Sequence, residues 1–147
     1  SAAAETPLRR ARICAHPSMD HDQHDMLIAS HRETYVAPHR HRAKSETLVV
    51  IEGEAILVMF DEDGTMSTAK HLAPFPDSGV FFYRMPEGRF HSLVIRSDFL
   101  VFVESTKGPF HREDSENALW APAPDDHAGG KRFREEMARQ AAALIGS

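Results

Sequence analysis

A single cysteine, Cys14, stands in a chain of 147 residues, so no internal disulfide can form and no closed thiolate zinc site can be built. A reducing, cytoplasmic setting is the expectation that follows. Long apolar runs are missing as well. The greasiest stretch, Thr47 to Phe60, is broken by Glu52, Gly53 and Glu54 and falls short of the roughly 18–20 residues a spanning helix needs, so no membrane crossing is expected. Ser1 to Pro7 lack an apolar signal core and an initiating methionine, and read as a flexible start rather than a targeting segment. A basic excess is also absent. The 17 Lys and Arg face 22 Asp and Glu, for a formal charge of −5, and the basic residues are scattered, so no nucleic-acid partner is expected. There is no G-x-S-x-G elbow and no glycine-rich phosphate loop, and Cys14 has no assigned base partner, which leaves nucleophilic catalysis without support. A lone cysteine flanked by apolar residues ordinarily packs.

What is present is a globular composition, 41% hydrophobic and 27% charged, in a length that suits one domain able to bury roughly 68–70% of its unfolded surface. Short strand patterns recur between turns: Leu8 to His16, Thr34 to His41, Glu46 to Ile51, Ala55 to Phe60, Thr65 to Leu72, Val80 to Met85, His91 to Arg96 and Phe99 to Ser105. Gly53, Asp63-Gly64, the Pro74–Gly79 loop and Pro86-Glu87-Gly88 punctuate them, and no helical pattern intervenes. An all-β antiparallel sandwich or barrel is the economical reading. Residues 1–18 read as an N-terminal arm or strand, 19–105 as the barrel core, and 106–130, rich in Pro, Asp and Glu around Trp120, as a covering loop. From Lys131 onward Phe133, Met137, Ala141 and Leu144 fall at helical spacing, so the chain is expected to close with an amphipathic helix over 131–147.

Histidine is the unusual component, with 10 copies. His39 and His41 are two apart on an expected strand and so share a face. Glu46 opens the next strand after a short polar link, and His91 begins a strand whose same-face neighbours Leu93 and Ile95 are apolar. Three imidazoles and one carboxylate can therefore converge, a donor set suited to a first-row divalent metal with positions left open. Tyr35 shares the face of His39 and His41, and either lines the pocket as a donor or acid or caps the core. Glu104 is either a buried carboxylate serving as acid or base, or a rim residue paired with a lysine or arginine. His16, His31, His71, His111 and His127 read as surface or hydrogen-bonded filler, and the run Asp20-His21-Asp22-Gln23-His24-Asp25 as a solvated loop.

The string His39-x-His41-x-x-x-x-Glu46-x-x-x-x-x-x-Gly53 resembles the first motif of the cupin superfamily, and Pro86-x-Gly88-x-x-His91 resembles the second. More narrowly, Tyr35 to His41, Lys44-Ser45-Glu46, the turn Phe60 to Gly64, Glu104, Gly108-Pro109-Phe110 and Trp120-Ala121-Pro122 are similar to the WbuC family of cupin-fold metalloproteins, over about residues 9 to 124. The resemblance implies a small double-stranded β-helix or jelly roll with one divalent transition metal (Fe, Zn, Mn or Ni) held by His39, His41, Glu46 and His91. It also implies a link to sugars or nucleotide sugars of surface-polysaccharide biosynthesis. Glu33 stands where the first motif commonly opens with glycine, and Ile95 where the second commonly closes with asparagine; neither is a ligand position. Three functions fit: a metal-dependent isomerase or epimerase acting on a small polar substrate, a non-haem Fe(II) dioxygenase, and a binding module without turnover. Exposed N-terminal strand edges in such barrels lead to the expectation of a homodimer.

Overall fold

Residues 9–146 are described by a computed structural model. The expected flexible start, Ser1 to Pro7, lies outside the described residues. Ten strands and one long helix follow in the order β1 (Arg10–Cys14), β2 (Gln23–His31), β3 (His39–His41), β4 (Glu46–Glu52), β5 (Ala55–Phe60), β6 (Met66–Leu72), β7 (Phe82–Met85), β8 (Phe90–Ile95), β9 (Phe99–Lys107), β10 (Ser115–Asn117) and α1 (His127–Gly146). They form two five-stranded sheets, β1-β2-β9-β4-β7 and β10-β3-β8-β5-β6, antiparallel throughout. Among the described residues, no helix is long and apolar enough to cross a membrane.

Alternation within the strands builds the core between the sheets. Met26 and Ile28 of β2, Leu48 and Val50 of β4, Leu57 of β5, and Leu100 and Phe102 of β9 face inward and are buried together. β5 departs from alternation because both its faces are covered: Leu57 and Met59 enter the inter-sheet core, while Ile56, Val58 and Phe60 pack with Met137 and Ala141 of α1. Gly53 closes the β4–β5 turn at φ 84°, and a Cβ there would lie 2.1 Å from the Phe99 carbonyl oxygen, so both the conformation and the close approach demand glycine.

Several boundaries differ from the sequence reading. β2 begins at Gln23, so Gln23, His24 and Asp25 belong to a nine-residue strand and not to a solvated loop. All nine residues pair with β9, and polar His24 and Ser30 occupy inward positions, which hides the alternation. The expected strand Thr34 to His41 is reduced to its last three residues, since Pro38 lacks the N–H a ladder needs. The expected covering loop contains β10, which pairs with β3. The helix starts at His127 rather than Lys131 because the Asp126 carboxylate accepts the Gly129 N–H at 2.9 Å, a side-chain N-cap. Gly129 and Gly130 argue against a helix by propensity, yet a Cβ on Gly130 would meet Tyr35 Cδ1 at 2.4 Å. Cys14, expected to pack, is exposed.

Candidate metal centre

His39 and His41 project from the same side of β3, two residues apart. His91 of β8 lies directly across from His39 in the ladder. Glu46 enters from the opposite sheet, as the first residue of β4. One donor atom from each of these four residues lies within 4.8 Å of every other. The ring centroids of His39 and His91 are 4.4 Å apart, and those of His39 and His41 5.3 Å.

Local hydrogen bonds orient the rings. His39 Nδ1 donates to the Ala37 carbonyl and His91 Nδ1 to the Arg89 carbonyl, both at 2.9 Å, so each Nε2 is the nitrogen turned into the site. His41 Nδ1 lies 3.0 Å from Ser115 Oγ on the paired residue of β10. Its Nε2 sits 2.9 Å from Glu46 Oε1, but without hydrogen-bond alignment, so this buried nitrogen has no aligned partner. His91 Nε2 is 3.7 Å from Glu46 Oε2. Donors side by side, each pointing past the other at a common point, are arranged as ligands of one cation are. The set fits a divalent metal of the N/O-preferring kind.

Electrostatics keep His39 and Glu46 in the form a metal needs. Burial, reinforced by the neighbouring His91, pushes His39 down to about 3, so its imidazole is neutral. Burial alone would raise Glu46, but the contacts with His41 and His91 hold its carboxyl well below the usual range.

A cavity of about 270 Å³ adjoins the cluster. Leu48, Leu57, Met85 and Phe102 give it an apolar floor, and Glu104 of β9 faces into it. Burial, then the Glu46 charge, lifts Glu104 to about 7, with Arg10 opposing the rise. Tyr35, expected on the face of His39 and His41, is not at this cavity. With Pro38 interrupting the strand, its side chain turns to the outer face of the second sheet, where the hydroxyl donates to the Pro122 carbonyl at 2.8 Å and the ring meets Phe133 of α1. His16 and His24, read as filler and loop, line the cavity instead, with rings stacked at 3.9 Å. The sequence reading also missed Arg10, Arg12 and Ser115 as lining residues. The spacing of Arg10, Arg12 and Cys14 along an edge strand was the available signal.

Among known proteins, residues 1–72 match a domain of unknown function (DUF6016). No curated protein matches the chain. The structural neighbours include the capsular polysaccharide assembling protein CapF from Staphylococcus aureus (15% identity, 72% of this chain and 29% of that one, TM-score 0.59). A conserved protein with a double-stranded β-helix domain from Klebsiella pneumoniae aligns at 18% identity over 74% of this chain and 84% of its own, TM-score 0.56. Protein SO0799 from Shewanella oneidensis aligns at 14% identity over 91% and 83%, TM-score 0.59. The fold is a cupin double-stranded β-helix with a C-terminal helix. The chain spans less than a third of the CapF chain it matches, and these identities speak to the cupin fold alone.

Proposed function

We propose that the chain is a divalent-metal-dependent cupin enzyme, of the WbuC type, acting on a small sugar-like substrate. The observation that carries this reading is the convergence of three imidazoles, each with Nδ1 engaged behind the ring, and the Glu46 carboxylate beside a cavity that also holds a second carboxylate. His39, His41, Glu46 and His91 would hold the cation, which when bound supplies a Lewis acid that polarises a substrate oxygen.

The chain's own residues then do the rest. The apolar floor excludes water and strengthens electrostatic contacts inside the cavity. Glu104, lifted to about 7 by burial and by Glu46, can hold a proton at its carboxyl and release it near neutral pH, the property of a general acid or base. Arg10, whose own pKa is lowered by burial and by Arg12, counters the Glu104 charge when that proton leaves. The cavity, about 270 Å³, lies just under the roughly 300 Å³ at which drug-sized pockets begin, and so favours a single sugar ring over a nucleotide sugar. The name of CapF, a capsular polysaccharide assembling protein, is consistent with the polysaccharide connection.

The test is elemental analysis of protein purified without a histidine tag, followed by turnover and thermal-shift screening of monosaccharides with the native metal restored. The reading expects close to one metal per chain and a substrate whose turnover falls about 10²–10⁴-fold in Glu104→Gln with metal content unchanged. A protein that takes up no divalent metal overturns it.

A further inference from the structure

Three basic side chains, Arg10 and Arg12 of β1 and Lys44 of the β3–β4 link, line the same cavity as the histidine–glutamate cluster. Alternation puts both arginines on the inner face of β1. The Arg10 guanidinium is buried deeply enough to lower its pKa, with the Arg12 charge adding to the effect and Glu104 and Glu46 only partly opposing it. Arg12 is exposed at the opening, and Lys44 Nζ lies 5.9 Å from the centre of the Phe110 ring, another lining residue. In a chain of net charge −5, three cations thus face two carboxylates in one cleft, and a metal ion would take up one of those carboxylates. Two guanidiniums held close together in a partly dry cleft are complemented by an anion, which each can grip with two parallel N–H bonds.

Resting on the metal-enzyme reading above, we propose that the substrate is an anionic monosaccharide, a sugar acid or a sugar phosphate, whose acidic group docks on Arg12 and Arg10 while its ring lies over the metal cluster. Calorimetric titration of the metal-loaded protein with glucuronate, inorganic phosphate and glucose tests this. One of the two anions should bind at least about tenfold more tightly than neutral glucose, lose affinity with rising salt, and lose about tenfold in Arg12→Gln while metal content stays the same. Glucuronate ahead of phosphate identifies a sugar acid, and the reverse order a sugar phosphate. Equal binding of glucose, no binding of either anion, or an unaffected Arg12→Gln overturns the proposal. Metal uptake and anion binding separate the two readings: a protein that takes up no divalent metal but still binds the anion through Arg12 sinks the enzyme reading and leaves the anion subsite standing, whereas a metal-loaded protein that binds no anion sinks the subsite alone.

A second inference rests on the outer face of the first sheet. The ladder registers align Ile13, Leu27, Val103, Val49 and Phe82 in one apolar row across all five strands, with Ile13 67% and Phe82 61% exposed. The neighbouring row reads Asp25, Ser105, Thr47, Arg84, acidic at one end and basic at the other. A two-fold axis running along the strands between β9 and β4 sets each row on itself in reverse order, Leu27 on Phe82, Val103 on Val49, and Asp25 opposite Arg84 of the partner subunit, the self-complementarity an isologous interface requires. We infer that a second copy of this chain covers this face. Sedimentation analysis should give a dimer that Phe82→Glu converts to a folded monomer, with Arg84→Asp weakening it and Asp25→Arg plus Arg84→Asp restoring it. A monomeric wild-type protein, or a dimer indifferent to all of these changes, overturns the inference.

Discussion

Two groups of histidines sit on the same cavity, and only one of them converges. His39, His41 and His91 each have Nδ1 engaged behind the ring, by Ala37, Ser115 and Arg89 respectively, and present Nε2 towards Glu46. His16 and His24 are stacked nearly parallel, at 10° between ring planes. His24 Nε2 contacts the Met19 carbonyl at 3.1 Å, and His16 Nδ1 the Asp25 carbonyl at 3.2 Å. Stacked rings aim their nitrogens sideways and not at a common point, and among the described residues this pair joins no third donor in a group that could hold a cation. Histidine count and proximity are therefore poor guides. What separates a metal site from structural histidines is which nitrogen the local backbone engages and whether a carboxylate closes the set.

The sharpest way to break this comparison is to remove one member of each group. His39→Ala or His91→Ala should lose metal retention by well over the about 10–100-fold that loss of an outer partner costs, whereas His24→Ala should keep the metal and lose about 0.5–1.5 kcal/mol of stability with one hydrogen bond, since the Met19 carbonyl still accepts the Phe110 N–H at 3.0 Å. Ser115→Ala, which touches only the outer nitrogen of His41, should fall between them, at about tenfold weaker affinity. Elemental analysis and competitive metal titration give the ranking. Equal losses from His24→Ala and His91→Ala would erase the distinction.

Protons offer a second, smaller contrast, best read by urea denaturation of chelated protein across pH. His39, lowered to about 3 from an ordinary 6.5, stays neutral in the folded protein where the unfolded chain binds a proton. Its contribution is complete above pH 6.5 and is lost as pH falls from there towards 3. Glu104, raised to about 7 from 4.5, runs the opposite way: the folded protein holds a proton that the unfolded chain has released. Its contribution is complete below pH 4.5 and is lost as pH rises through 7. Glu104→Gln should therefore gain on the wild type progressively between pH 4.5 and 7 and level off above. A constant offset across that range would mean that Glu104 is not held protonated by its surroundings.

The same contrast explains what could be read from the sequence. His39, His41, Glu46 and His91 were legible because strand alternation and the turn before β8 fix their directions without help from distant residues. The hydrogen bonds that orient them were legible only in part: Ala37 and Arg89 lie two residues before the histidines they hold, but Ser115 arrives from β10, a pairing no local pattern announces. The start of β2 was read as loop because His24, a polar residue at an inward position, faces a cavity and looks like loop. The start of α1 was hidden by Gly129 and Gly130, whose reason for being glycine is a tertiary contact with Tyr35. The fold class follows from repeated short strands and turns, whereas the cavity's basic wall required knowing that β1 pairs at the edge of the first sheet and turns Arg10 and Arg12 inward.

Tyr35 supplies the finest test, because the sequence left it between lining the pocket and capping the core, and the structure places it behind the site, against α1. Burial, with a smaller push from Asp126, raises its hydroxyl to about 12, so it stays protonated through the working range and serves as a donor to Pro122. Tyr35→Phe keeps the ring against Gly130 and Phe133 and deletes one neutral hydrogen bond, worth about 0.5–1.5 kcal/mol. Thermal or urea unfolding should register that loss, while metal affinity and anion binding stay at wild-type values, since no ligand and no lining residue of the cavity moves. Weakened metal binding in Tyr35→Phe would mean that the anchoring of α1 sets the position of β3, and the boundary drawn here between the converging histidines and the layer behind them would have to be redrawn to include it.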